Sequence, residues 1–375
     1  MSPADPQSPS GRRVPCVWRG MGLVNWIRFL WLRPPVEWSR LPAVASLTFT
    51  SAVNSLLDII ECAIWSGRIN RIELNPQPIF LLGHWRSGTT LLHNLLALDP
   101  QFAFLNLYQT LFPGHFLLTE RWMTRLTGPW LPAVRPVDSM PLAWDLPQED
   151  ETALLLMTLC SPYLAVAFPD EPDRFSRFGN LQTGLSDREM ARWKRAFLTL
   201  LHKAALRTGN RPFLLKSPTH TSRIPLLLQL FPQARFIHLM RDPYEVYGST
   251  LRLRKTMCEI NALTRAAPAN LEHQVLDDYL KMYEAYHLHR ALVGTTQLAE
   301  LKYEDLVADP IASLRAIYEK LELSGFADLQ PKIEMQLAGL RQHRASTPNL
   351  THDEMTRVYE RWQPAFRRYG YPSRL

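Results

Sequence analysis

The chain has 375 residues, 46% of them hydrophobic and 21% charged, which is enough apolar material to offset chain entropy and excludes a disordered protein. Its four cysteines, Cys16, Cys62, Cys160 and Cys258, lie far apart with no CxxC spacing or Cys/His cluster; that excludes a small disulfide-stapled scaffold and reads as free thiols in a reducing compartment, with no metal site expected. A formal charge of +7, carried mainly by arginine, favours an anionic ligand or surface, while the scatter of the basic residues argues against nucleic acid.

Residues 1–15 are rich in Pro, Ser and Gly and read as a disordered tail. No apolar run with a cleavage site follows, so a cytoplasmic location is expected. Residues 18–33 place Trp26, Ile27, Phe29, Leu30, Trp31 and Leu32 among Arg19, Arg28 and Arg33, and Pro34-Pro35 stops the run. This segment is too short to span a bilayer. Two readings stay open: it lies peripherally on a membrane, or it packs on the main domain or a partner. Residues 43–65 are apolar but interrupted by Asn54, Asp58 and Glu61, with Leu56, Leu57, Ile60 and Ile64 at helical spacing. That pattern predicts an amphipathic soluble helix rather than a transmembrane one. Residues 16–76 thus form a helical extension ahead of a main domain over 77–375.

The main domain opens with PIFLLG at 78–83, a buried strand ending in glycine, and a helix is expected over 89–98. Residues 112–144 are rich in Pro and Trp and suit either an acceptor pocket or core. Helices follow over 149–159 and 187–207, the second capped by Ser186. FLLK at 213–216 is a second strand and 221–230 a helix. RFIHLM at 235–240 is a third strand, after which Asp242-Pro243 opens a helix. A long helix covers 271–292, LAELK at 298–302 is a fourth strand, and 311–321 is the helix after it. This alternation predicts an α/β fold, a parallel β-sheet flanked by helices, with its ligand beyond the strand ends.

The sharpest signal is Gly83-His84-Trp85-Arg86-Ser87-Gly88-Thr89-Thr90, between a strand and a helix. Glycines at that spacing let successive amides point at one oxyanion, and the helix start adds its positive end. The GxxxxG spacing is that of a P-loop, yet Thr-Thr stands where Lys-Ser/Thr would follow, and the loop's positive charge is Arg86.

With three further motifs, this loop resembles the sulfotransferases that use 3'-phosphoadenosine 5'-phosphosulfate (PAPS), nearest to their bacterial-type branch. The family's PxSGTT is matched by Trp85-Arg86-Ser87-Gly88-Thr89-Thr90, with Trp85 in place of proline. Arg241-Asp242-Pro243 and Ser249, eight positions after the arginine, match its 3'-phosphate grip. Lys216-Ser217-Pro218 matches a third motif and Tyr303-Glu304-Asp305-Leu306 a fourth. The resemblance implies a P-loop-like fold and sulfuryl transfer from PAPS to a hydroxyl, with an amine second, on a small-molecule, lipid or carbohydrate acceptor. It implies donor binding by Arg86, Ser87, Gly88, Thr89, Thr90, Arg241, Ser249 and Tyr303. Charge stabilisation at the departing phosphate falls to Arg86 and Lys216.

Many relatives carry a glutamate 17 to 20 residues beyond the loop, but here that stretch is Asn106-Leu107-Tyr108-Gln109-Thr110. The general base is therefore open between His220 and an acid of the Glu149-Asp150-Glu151 run, either Glu149 or Glu151, with His84 and His115 behind them. The same three acids would also suit a helix start on dipole grounds alone. Arg341, His343 and Arg344 suit a solvated basic loop, or a closure over the nucleotide. Two rival classes remain, a P-loop kinase or NTPase and a nucleotide-binding protein that has lost turnover.

Overall fold

Four short apolar segments pair side by side in a computed structural model that describes residues 16–135, 140–265, 270–340 and 349–375. The expected tail and Arg341, His343 and Arg344 lie outside the described residues. The strands are β1 (Ile79–Leu82), β2 (Leu214–Lys216), β3 (Arg235–Met240) and β4 (Leu298–Lys302), all parallel in the order β2-β1-β3-β4. Their register sets Leu81 beside Lys216, Leu82 beside His238 and Met240 beside Lys302. All four strands consequently end at one edge of the sheet. The chain leaves that edge as the Gly83 loop, as Ser217, as Arg241 and as Tyr303, so the four motifs converge where open parallel sheets bind ligands.

The helices run α1 (Leu23–Trp31), α2 (Leu41–Ile69), α3 (Thr89–Leu96), α4 (Leu107–Leu111) and α5 (Phe116–Thr127). Next come α6 (Asp150–Thr158), α7 (Leu181–Gly184), α8 (Asp187–Thr208), α9 (Ile224–Leu230) and α10 (Pro243–Asn261). The last are α11 (Leu271–His289), α12 (Tyr303–Ala308), α13 (Pro310–Lys320), α14 (Phe326–Leu340) and α15 (His352–Tyr369). Ser186 caps α8 in a reciprocal box with Glu189, and Asp242 caps α10 through the Tyr244 amide. Side chains alternate across the sheet. Phe80, Leu82, Leu215 and Phe236 enter one core, while Ile79, Leu81, Leu214 and Ile237 enter another with Leu92, Leu95 and Leu314.

The extension is part of the first core rather than a separate body. Trp18, Trp26 and Phe29 are fully buried there, with the Trp18 and Phe29 rings 4.7 Å apart. Of the two readings of residues 18–33, these aromatics satisfy packing on the main domain, yet Trp31 on the opposite side of α1 stays 79% exposed.

The soluble amphipathic pattern read into α2 is reversed. Of the expected inward stripe Leu56, Leu57, Ile60 and Ile64, Leu57 is half-buried and the other three are exposed, while Ser51, Asn54 and Glu61 are buried. The helix forms as its spacing predicts, but periodicity shows only that a helix has two faces and not which one the protein covers.

Candidate active site

The loop between β1 and α3 turns on two glycines in the left-handed region, Gly83 (φ 144°) and Gly88 (φ 97°). A Cβ on Gly88 would lie 2.2 Å from the Tyr303 ring, so the ring packs directly on the loop and only glycine fits. Arg86 also has positive φ (70°), a conformation a non-glycine residue holds only when its surroundings enforce it. They do: Arg86 Nε donates to Ser249 Oγ at 2.8 Å, and Arg241 Nη1 donates to the Arg86 carbonyl at 3.1 Å. The Arg241 guanidinium lies 4.3 Å from the centre of the Tyr303 ring and 3.7 Å from Glu245. Arg86, Arg241, Ser249 and Tyr303 are thus one cluster, although they come from four separate elements. Arg86 is engaged by Ser249, and Lys216 by Glu149 and Thr90.

Lys216, at the end of β2 and 2% exposed, donates to Glu149 Oε1 at 2.7 Å and to Thr90 Oγ1 at 3.4 Å. Glu149 sits at the N-cap of α6, and its other oxygen accepts from the Tyr163 hydroxyl at 2.5 Å; Trp85 Nε1 donates to that hydroxyl at 3.0 Å. Burial pushes the Glu149 carboxyl up, but the Lys216 charge, the hydrogen bonds from Lys216 and Tyr163, and Arg135 outweigh it and hold Glu149 below its ordinary value. Burial lowers the Lys216 ammonium, against the pull of Glu149. Burial and the neighbouring Glu149 push the Tyr163 phenol well above its ordinary value, so it remains a donor.

The three acids at the N-terminus of α6 have three dedicated cationic or imidazole partners. Glu149 takes Lys216, Asp150 takes His220 (2.8 Å), and Glu151 takes Arg223 (2.5 Å). Ser217 Oγ donates to Asp150 and accepts from the Glu151 amide, while Thr219 donates to Glu151. Residues 216–223 are therefore the seat of α6, which explains more than a helix-dipole role for the acids. The partners differ in access. Glu149 is 18% exposed, into a cavity; Asp150, Glu151, His220 and Arg223 are fully buried.

That cavity has a volume of about 1240 Å³. Arg86, Gly88, Thr89, Thr90, Glu149, Tyr163, Arg241, Ser249 and Tyr303 line it, whereas Glu151 and His220 do not. Ser87 is buried beneath the loop. Apolar side chains continue the wall, among them Val17, Leu107, Leu111, Met140, Leu142, Leu155 and Val166. The Pro/Trp-rich stretch thus contributes both ways: Met140 and Leu142 face the cavity, while Trp144 packs edge-on against Tyr108.

His84 and His115 do not line the cavity either. Burial lowers His84 to about 3, and its Nδ1 lies 3.0 Å from the Trp85 carbonyl; burial lowers His115 to about 4, between Thr119 and Asn54. The stretch where relatives carry a glutamate forms α4, whose capping box Asn106–Gln109 is occupied locally. Tyr163, Arg223 and Arg374 were not read from the sequence. Arg374 reaches Asp242 at 2.6 Å and so fastens the C-terminal segment beside Arg241. No local pattern marks these three, since each acts through a partner distant in sequence.

Beyond the ends of this parallel sheet, the oxyanion-binding groups and the Glu149 carboxylate share one cavity. A profile of the sulfotransferase family matches residues 78–328, and the chain belongs to that family. It is 36% identical over 366 residues to the omega-hydroxy-beta-dihydromenaquinone-9 sulfotransferase Stf3 of Mycobacterium tuberculosis and, equally, of Mycobacterium bovis, covering 96% of this chain and 94% of theirs. In fold it is similar to sulfotransferase STF9 from Mycobacterium avium (TM-score 0.70, 20% identity, 95% of this chain and 92% of that one). It is also similar to sulfotransferase STF1 from Mycobacterium tuberculosis H37Rv (TM-score 0.60, 17% identity, 92% and 94%).

Proposed function

We propose that this sulfotransferase uses PAPS as donor and transfers its sulfuryl group to the hydroxyl of a long, largely apolar acceptor, with Glu149 as general base. The observation that carries this reading is one cavity in which oxyanion-binding groups and Glu149, hydrogen-bonded to the buried Lys216, meet an apolar chamber. The donor set fits the polyanion: Arg241, Ser249 and Arg86 suit the 3'-phosphate, and the 87–90 amides, Thr90 and Lys216 suit the phosphosulfate. The donor supplies a sulfuryl group on a phosphate through a bridging oxygen. As the acceptor oxygen bonds to sulfur and that bridge breaks, Glu149 takes the hydroxyl proton. The bridge oxygen keeps its electron pair, and Lys216 screens the charge. Tyr163 and Lys216 each hold one oxygen of Glu149, which fixes the orientation of the carboxylate.

The relatives named for a hydroxylated dihydromenaquinone support a prenyl-type acceptor, as does the wall formed by Leu107, Leu111, Leu142 and Leu155. A long-chain terminal alcohol should exceed a short polar alcohol in kcat/KM by at least about tenfold, since each buried methylene adds about 0.8 kcal/mol. Release of adenosine 3',5'-bisphosphate reads this out. Equal rates reject the acceptor class, and no release with any alcohol rejects the function.

Arg241 gives a second test. Arg241→Ala should weaken adenosine 3',5'-bisphosphate by about 2–4 kcal/mol, the scale of a lost charge-assisted pair. Adenosine 5'-phosphosulfate lacks the 3'-phosphate and should bind almost as before. Calorimetry showing equal losses for both nucleotides removes Arg241 from this role.

A further inference from the structure

The reversed polarity of α2 is accounted for by partners along most of its inner face. Thr48 Oγ1 accepts from Trp26 Nε1 and Ser55 Oγ from the Leu23 amide, both at 2.8 Å. Asn54 donates to the carbonyls of Arg19 and Met21 at 2.7 and 3.1 Å. Glu61 accepts from the Leu118 amide and pairs with buried Lys203 at 2.5 Å. Residues 48, 51, 54, 55 and 61 thus form a polar stripe turned into the protein. The opposite stripe is apolar and bare: Phe49 is 71% exposed, Leu56 58%, Ile59 66% and Ile64 56%. Trp31 and Trp38, at 79% and 88%, stand bare in the same N-terminal extension. A helix facing water carries the opposite pattern.

Beside the C-terminal end of α2 lies a shallow groove between α2, α5 and α8. Arg68, Arg121, Arg125 and Arg207 line it with Trp65 and Trp122, and no carboxylate does. None of the ion pairs among the described residues involves Arg68, Arg121 or Arg125. Bare aliphatic side chains with flanking tryptophans suit the boundary between acyl chains and headgroups, and a cationic groove at their edge suits lipid phosphates.

We infer that the outer face of α2, with the arginine groove beside it, docks this enzyme on an anionic phospholipid bilayer. Residues 38–69 are long and apolar enough to cross a membrane by length and composition, and only 17% of their most apolar window is buried. Spanning is ruled out by the polar stripe, because inserting the helix upright would strip the hydrogen bonds at Thr48, Asn54, Ser55 and Glu61. The helix therefore lies flat, immersed on one side. A second copy of the chain is the poorer occupant: a two-fold contact sets a patch against itself, and the groove offers no carboxylate to oppose its own arginines. Docking has a consequence for the site. Val17, just before α1, lines the reaction cavity, and its amide donates to Asn261 of the same cavity wall at 2.9 Å. The bilayer-facing extension is thus also a wall of the acceptor chamber. The docking itself does not depend on which acceptor is used.

Flotation of the full chain with vesicles tests this. Wild type should float with vesicles of phosphatidylcholine containing about a third phosphatidylglycerol, far less with phosphatidylcholine alone, and less as salt is raised. The combined variant Leu56→Ser, Ile59→Ser, Ile64→Ser should float at least about tenfold more weakly. Arg121→Glu with Arg125→Glu should lose the preference for anionic vesicles. Both variants should keep the wild-type melting temperature and turnover of a soluble alcohol, because the changed side chains face outward. Wild type that stays in solution with anionic vesicles overturns the proposal without need of any variant. Variants that float like wild type overturn it too, as does a wild-type dimer that the triple variant converts to monomer while vesicle binding is absent.

Discussion

Glu149→Gln should cut turnover by about 10² to 10⁴ while the bisphosphate still binds, because the amide keeps the shape and loses the proton acceptor. The pH profile gives the sign. The folded-state pKa of Glu149 lies below its ordinary 4.5, so the carboxylate is ionised throughout the neutral range. Rate should stay level as pH falls from 7 to about 5 and fall only as Glu149 protonates below its ordinary value. A histidine base would instead lose rate through about pH 6 to 7. His220 is the histidine to test against it, and His220 is fully buried against Asp150, away from the cavity. Steady-state rates of Glu149→Gln and His220→Ala across this range decide the matter. A nearly wild-type Glu149→Gln, or an acid limb near pH 6.5 that vanishes in His220→Ala, removes Glu149 from the role. Because Lys216 shares the hydrogen bond, Glu149→Gln also frees its ammonium; nucleotide affinity should rise or hold, and a large loss of affinity would mean that the pair serves binding rather than proton transfer.

The parts of this site carried by contiguous residues were legible in advance. The strands Arg235–Met240 and Leu298–Lys302 match the expected spans, since apolar runs bounded by polar residues define buried strands. The loop 83–90, Arg241 with Ser249, and Tyr303 gather at one sheet edge, because each follows a strand and parallel strands share an end. What could not be read was pairing across distance. Glu149 and Lys216 are 67 positions apart, and nothing near Glu149 distinguishes it from Glu151 two residues later. In the sequence both are acids at a helix start. Their difference arises only when 216–223 folds under α6 and presents a lysine to one and an arginine to the other. The polarity of α2 was hidden for a related reason. Its inner face is satisfied by Trp26, by the carbonyls of 19 and 21 and by Lys203, all from other elements. A polar stripe with partners elsewhere looks the same, in sequence, as a polar stripe facing water.

The contrast between the two glutamates yields an equally large effect of a different kind. Glu151 and Arg223 are both fully buried and joined by two hydrogen bonds, and Arg223 also donates to the Phe178 carbonyl. Removing one partner of such a pair leaves a buried charge uncompensated, at a cost of about 3–5 kcal/mol. Glu151→Ala should therefore lower stability to denaturant by that amount, with Thr219 losing its acceptor as well. Turnover per folded molecule should hold within about tenfold, since the carboxylate does not line the cavity. Arg223→Met alone should be similarly damaging. The double variant Glu151→Ala, Arg223→Met should be milder than the sum of the two, because removing both partners leaves no orphan charge. Urea unfolding of the four proteins closes this cycle. An additive double variant would mean that the two residues do not act as a pair. A Glu151→Ala protein of wild-type stability and abolished turnover would give Glu151 the chemical role assigned here to Glu149. Two acids separated by one residue would then have exchanged tasks, and the buried Arg223, rather than Lys216, would be the cation that sets the base.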